Sequence, residues 1–111
     1  MSASKDAAQG WVALAGAGPG DEGLLTVRAA ELLGQASLVV AGAGLEPVAR
    51  RHMSSDAVLA DPADAAGSAR ALVQAARGGQ LAVRLFPGDP LLNGAVADAA
   101  ACAKAGVRFE I

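Results

Sequence analysis

The sequence predicts an α/β fold, an open five-stranded parallel sheet flanked by helices. Three observations predict it. Apolar runs without polar alternation recur five times, segments with helical spacing lie between them, and Gly or Pro marks the joints. A strand buried on both faces reads as a continuous apolar run. Strict alternation of strand and helix is the pattern of an open sheet joined by right-handed crossovers.

The first run is Val12–Ala15, and the helical spacing after it uses Leu24, Leu25, Val27, Leu32 and Leu33. The second, Leu38–Ala41, leads into a short helix carrying Leu45, Val48 and Ala49. The third, Val58–Ala60, precedes a helix whose apolar positions are Ala66, Ala69, Leu72, Val73 and Ala76. Asp61, just ahead of Pro62, is the expected cap of that helix, because aspartate accepts from first-turn amides and proline suits the first helical position. The fourth run is Leu81–Leu85, followed by a helix expected from Leu91 or Leu92 through Val96 and Ala100 to Ala103. Gly78-Gly79 and Gly106 supply the left-handed residues that close the last two helices. The fifth run, Val107–Ile111, stops in mid-strand, so a longer polypeptide cut before a second domain is expected. Residues 1–10, MSASKDAAQG, are polar and small and are expected to form a disordered tail, which leaves 11–111 as a single domain.

A chain of 111 residues, 53% hydrophobic and with a net charge of −2, suits one core and no polyanionic partner. With no Tyr, one Trp and two Phe there is almost nothing to stack on bases, so nucleic-acid binding is not expected. The longest charge-free stretch, Leu32 to Leu45, falls short of the ~18 apolar residues of a spanning helix. The first ten residues lack the apolar core of a signal peptide. A cytoplasmic protein without membrane contact is expected. A single cysteine, Cys102, excludes an internal disulfide, and a single histidine, His52, leaves no cluster with metal-ligand spacing. Cys102 lies in an Ala-rich helical pattern and reads as a small buried apolar residue. His52, beside Arg50 and Arg51, reads as a solvated helix end.

Pro-Gly-Asp ends two of the runs, in LAGAGPGD at 14–21 and in LFPGDPLL at 85–92. Ligands of an open parallel sheet bind outside the carboxyl ends of its strands, where both pieces fall. A dinucleotide fingerprint, G-x-G-x-x-G, fails at its third glycine, which is Asp21, a carboxylate where a pyrophosphate needs uncharged backbone. A P-loop fails as well, because Gly20-Asp21-Glu22 is opposite in charge to G-K-[ST]. A Gly- and Pro-rich loop ending in a carboxylate suits a ligand with a positive centre and hydroxyls. The plain alternative is that Gly16, Gly18 and Gly20 only make a tight turn and Asp21 only caps the helix that follows.

The stretch VALAGAGPGDEGLLTVRAAELLGQASLVV resembles the opening of the S-adenosylmethionine-dependent tetrapyrrole methylases: a strand, GxGPGD, then LLT-[LV]-[KR]-A and a second strand. Arg84-Leu85-Phe86-Pro87-Gly88-Asp89-Pro90, with a glycine at 94, resembles their second motif, V-x-R-L-x-G-G-D-P. The resemblance runs from Trp11 to Ile111, in order, and is greatest to the uroporphyrinogen III C-methyltransferases. It implies the first of two α/β domains, S-adenosylmethionine bound in the trough between them, a homodimer, and methylation of a tetrapyrrole in sirohaem, haem or cobalamin biosynthesis.

By position, the resemblance implies cofactor contacts at Pro19, Pro87, Gly88, Asp89 and Leu92. Two departures bear on activity. Pro87 stands where the family has glycine, so one N–H donor is lost and φ is narrowed. Gly42, in Ala41-Gly42-Ala43-Gly44, stands near the aspartate proposed as the family's proton acceptor, and Leu59-Ala60-Asp61-Pro62 carries no match for its lysine, so no residue is named as the base. The other reading is a degenerate, non-catalytic methylase domain that serves as a binding or docking module, such as one fused to uroporphyrinogen III synthase. In either case the 111-residue chain alone is expected to bind cofactor weakly and not to turn over, since half of the trough is missing.

Overall fold

The computed structural model describes residues 10–17, 25–62 and 64–111. Strand β1 (Trp11–Ala17) is followed by helix α1 (Val27–Gln35), β2 (Leu38–Val40), α2 (Glu46–His52), β3 (Val58–Ala60), α3 (Ala65–Arg77), β4 (Leu81–Pro87), α4 (Ala95–Ala105) and β5 (Phe109–Glu110). Short 3-10 turns at Ala43–Leu45 and Pro90–Asn93 lead into α2 and α4. The strands form one sheet in the order β3-β2-β4-β1-β5, with parallel pairing throughout.

The five runs read from the sequence are therefore the five strands, and the reason they do not alternate is visible in the packing. Side chains alternate between the faces of a strand, and here both faces are covered. Ala13, Ala17, Val39, Val83 and Leu85 pack with Leu32, Leu33, Val48 and Ala49 of α1 and α2. Val12, Leu14, Val40, Ala82 and Phe86 pack with Leu72, Ala76, Ala95 and Cys102 of α3 and α4. The exception in β4 is Arg84, which shares the second face with Ala82 and Phe86.

The helix ends depart from the sequence reading in three places. Helix α1 begins at Val27, with Thr26 as its cap accepting from the Ala29 amide at 3.0 Å. Leu25 precedes the helix, and Leu24 and Asp21 lie outside the described residues. Val27 is exposed because the buried stripe is Ala29, Leu32 and Leu33, and two residues before Ala29 is the far side of the turn.

Helix α3 is capped by Asp64, whose carboxylate accepts from the Gly67 amide, and not by Asp61. Pro62 lies ahead of the helix rather than in its first turn. Asp64→Ala is accordingly expected to cost about 1 kcal/mol, whereas Asp61→Ala should stay within about 0.5 kcal/mol. Urea unfolding of the two variants side by side checks this, and equal losses would contradict the observed cap.

Helix α4 begins at Ala95 and not at Leu91 or Leu92, because Gly94 adopts φ +103° and separates it from the preceding 3-10 turn. Its buried side is Ala95, Asp98 and Cys102, the last as read from the sequence, while Val96 and Ala100 face solvent. The expected glycine closures hold, with Gly79 at φ +87° and Gly106 at φ +73°. Arg50, Arg51 and His52 form the last turn of α2, where cations suit the helix dipole, and His52 is exposed. Of the ten-residue N-terminal segment only Gly10 is described, its amide donating to the Ala76 carbonyl at 2.8 Å.

Candidate functional site

Strands β1 and β4 run side by side for seven residues, from the Trp11–Leu81 pair to the Ala17–Pro87 pair. Their ends therefore lie together at the carboxyl edge of the sheet, and the two Pro-Gly-Asp pieces leave from neighbouring strands. The pairing continues one residue into the second piece, where the Gly88 amide donates to the Ala17 carbonyl at 2.9 Å. Gly88 then turns at φ +81°, a conformation that glycine adopts without strain. The turn folds the chain back over β1 so closely that a Cβ on Gly16 would overlap the Gly88 carbonyl oxygen and meet Pro90 Cδ at 3.0 Å.

Asp89 caps the 3-10 turn that follows. Its Oδ1 accepts from the Leu91 amide at 2.9 Å, and its carbonyl accepts from Asn93 Nδ2 at 2.8 Å. Asp89 thus serves as a cap, and its carboxylate remains exposed. Pro87 ends β4, and Leu92 is 84% exposed at the rim. Pro19 lies outside the described residues, as do Gly18, Gly20 and Asp21.

Two cavities open at this edge, one on each side of the loop after β4. The first, about 390 Å³, is lined by Gly16, Thr26, Arg28, Asp89, Leu91 and Glu110 among others. Arg28 pairs with Glu110 at 2.8 Å, but both are well exposed, so the pair stabilises little. The second, about 230 Å³, is lined by Gly42, Gly44, Arg84, Phe86, Pro87 and Asn93 among others. The structure therefore divides the predicted contacts, with Asp89 facing the first cavity and Pro87 the second. At Gly42 a Cβ would meet nothing within 4 Å, so the glycine borders open space in this cavity.

The polar group that sequence reasoning missed lies beneath the second cavity. Arg84 Nη1 donates to Asp98 Oδ2 at 2.8 Å, and the guanidinium carbon sits 4.6 Å from the centre of the Phe86 ring. Asp98 is 1% exposed, and its Oδ1 has no hydrogen-bond partner among the described residues. Burial pushes the Asp98 carboxyl above the ordinary aspartate value, and the charge and hydrogen bond of Arg84 offset this only in part. Burial also pushes the Cys102 thiol up, with the Asp98 carboxylate adding to the effect. Cys102 is thus a buried core residue whose surroundings disfavour the thiolate. The signal in the sequence was an aspartate amid alanines, fourteen residues from the only charged residue of β4.

The sequence pattern of the Tetrapyrrole (Corrin/Porphyrin) Methylases matches residues 12–111, nearly the whole chain. The chain belongs to the tetrapyrrole methylases. Its relatives in that family include siroheme synthase 2 of Aeromonas salmonicida, 39% identical over 77% of this chain but only 19% of the synthase. Among solved structures, uroporphyrin-III-C-methyltransferase from Thermus thermophilus superposes with a TM-score of 0.80 at 30% identity, over 91% of this chain and 46% of that one. A second structure of the Thermus enzyme, complexed with S-adenosyl homocysteine, superposes at 0.73 with 31% identity, over 91% of this chain and 43% of that one. The tetrapyrrole methylase fold expected from sequence is therefore the fold observed, and this chain spans less than half of the methyltransferases it matches and about a fifth of the synthase.

Proposed function

We propose that this chain is the N-terminal half of an S-adenosylmethionine-dependent C-methyltransferase acting on a tetrapyrrole of the uroporphyrinogen III type, in sirohaem, haem or cobalamin biosynthesis. The observation that carries this reading is the joint end of β1 and β4, where Gly16 and the Gly88 carbonyl meet with no room for a side chain. Such a seam presents bare backbone and one carboxylate at the carboxyl edge of the sheet, which fits a ligand bearing a positive centre and hydroxyls. Bound there, S-adenosylmethionine would supply an electrophilic methyl group on a sulfonium. Asp89 would accept hydrogen bonds from it while remaining pinned by the Leu91 amide, and Gly88 would offer backbone at close range. Pro87 has no N–H to donate. Pro19 and Leu92 complete the proposed contacts. A second domain after Ile111 would form the opposite wall of the trough, in a cytoplasmic homodimer.

The test uses the full-length protein. Calorimetric titration with S-adenosylmethionine and S-adenosylhomocysteine is expected to show binding of both, and radiolabelled methyl is expected to appear on uroporphyrinogen III. Asp89→Asn, which keeps the capping oxygen, should weaken cofactor binding several-fold with the melting temperature unchanged. A second reading is favoured by the open space at Gly42, which offers no group to take a proton from carbon. In it the domain is a binding or docking module without turnover, such as one fused to uroporphyrinogen III synthase. Cofactor binding without methyl transfer would select that reading, and transfer would eliminate it.

A further inference from the structure

The two cavities differ in charge, and the difference assigns a role to the second. The first carries Asp89 and Glu110 beside Arg28. Among the described residues the second is lined by no acidic side chain, and Arg84 is the charged residue in its lining. The Arg84–Asp98 pair is one-sided, with Asp98 1% exposed beneath the cavity wall and Arg84 16% exposed. A ligand in the cavity therefore meets the cation and not its counter-ion. Asp98 engages Nη1, and Phe86 covers a face of the guanidinium, so the remaining in-plane N–H edge is left for an anion. The arginine is also held from two sides, so little side-chain freedom is lost on binding. Gly42 and Gly44 add no side chains to the lining, and a Cβ at either would meet nothing within 4 Å.

We infer that this cavity is a carboxylate subsite in which Arg84 receives one acidic arm of the substrate. A volume of about 230 Å³ is far too small for a macrocycle but admits a carboxymethyl or carboxyethyl group, with the ring left outside the sheet edge. Arginine suits the task, since its planar fork matches a carboxylate with two parallel hydrogen bonds. Arg84 is then a positioning and specificity residue: it fixes how a polycarboxylate ring sits against the edge and takes no part in moving a proton. The identity of the ring rests on the proposed function; the preference of the subsite for a carboxylate does not.

The experiment is a fluorescence titration of the full-length protein with uroporphyrin III, a stable ring with the same acidic arms, alongside calorimetry with S-adenosylhomocysteine. Removing Arg84 alone would strand Asp98 and could unfold the protein, so the variant is the double replacement Arg84→Met with Asp98→Leu, which removes both charges and keeps the volume. Arg84→Lys is the second variant; it keeps the charge and loses the fork. The double variant is expected to keep its fold and its S-adenosylhomocysteine affinity while uroporphyrin III binding falls at least tenfold, with Arg84→Lys intermediate. Unchanged uroporphyrin III affinity in the folded double variant would overturn the inference. So would a parallel loss of both ligands, because the cavity would then belong to the cofactor. If the protein binds uroporphyrin III through Arg84 yet transfers no methyl, the subsite stands and only the enzymatic reading falls.

Discussion

Gly16→Ala is expected to lower the stability of the domain by about 2–3 kcal/mol, or roughly 10 °C in thermal midpoint. The added Cβ would overlap the carbonyl oxygen of Gly88 and press on Pro90 at 3.0 Å, and the first of these is backbone, which cannot rotate away. Relief requires moving the loop after β4 off the end of β1. That movement breaks the Gly88–Ala17 hydrogen bond and carries Asp89 with it. Cofactor affinity should therefore fall in this variant even under conditions where it is folded. Gly44→Ala is the matched control, since a Cβ there enters open space, and it should change stability by no more than about 0.5 kcal/mol. Thermal melts of the pair, followed by titration with S-adenosylhomocysteine, separate the two effects. A Gly16→Ala protein as stable as Gly44→Ala would show that the contact is not tight.

The second large effect is expected at Asp98. Asp98→Ala removes the carboxylate that pairs with Arg84 and should cost about 3 kcal/mol, the low end of the range for a broken buried pair because Arg84 keeps some access to water through the cavity. The pair also gives a dependence on pH with a definite sign. The Asp98 carboxyl is shifted upward in the folded protein, so between the unfolded and folded values the native state holds a proton that the unfolded chain has released. Stability contributed by this group is then greatest below the ordinary aspartate value and declines as pH rises through the shifted one. Asp98→Asn removes the titration, so the difference in urea midpoint between it and the parent should change across that acidic window and become flat above it. A constant difference from strongly acidic to neutral pH would contradict the upward shift.

Much of the architecture was legible because burial on both faces leaves a plain mark. Val39-Val40, Leu81-Ala82-Val83 and Val12-Ala13-Leu14 have to be apolar at every position when helices cover both sides of the sheet. The helix boundaries were less legible. Asp61-Pro62 and Asp64 offer two caps three residues apart, and composition does not say which aspartate meets a free amide; only the course of the chain after β3 decides it. Helix α4 was read with its start too early, and of its buried side only Cys102 was legible, for a related reason. A helix of alanines has no strong apolar stripe, and the residue that fixes its rotation is Asp98, a charge that periodicity assigns to solvent. The glycine-rich seam could be read from Pro87-Gly88-Asp89, whereas the Arg84–Asp98 pair could not, because what makes it a site is the cavity above it and not the spacing of its members.

Trp11, the single tryptophan of the chain, lies where the sheet joins the two ends of the domain. Arg108 stands 4.8 Å from its ring centre and Arg28 5.9 Å, and the neighbouring Val12 pairs with Phe109 of the last strand. Both contacts that surround the indole come from other elements, one of them nearly the whole length of the chain away. Intrinsic fluorescence therefore reports the docking of the last strand and of α1 against the first strand. Parallel pairing between segments this distant in sequence forms slowly. The domain thus carries its own optical reporter, placed where its first and last strands meet.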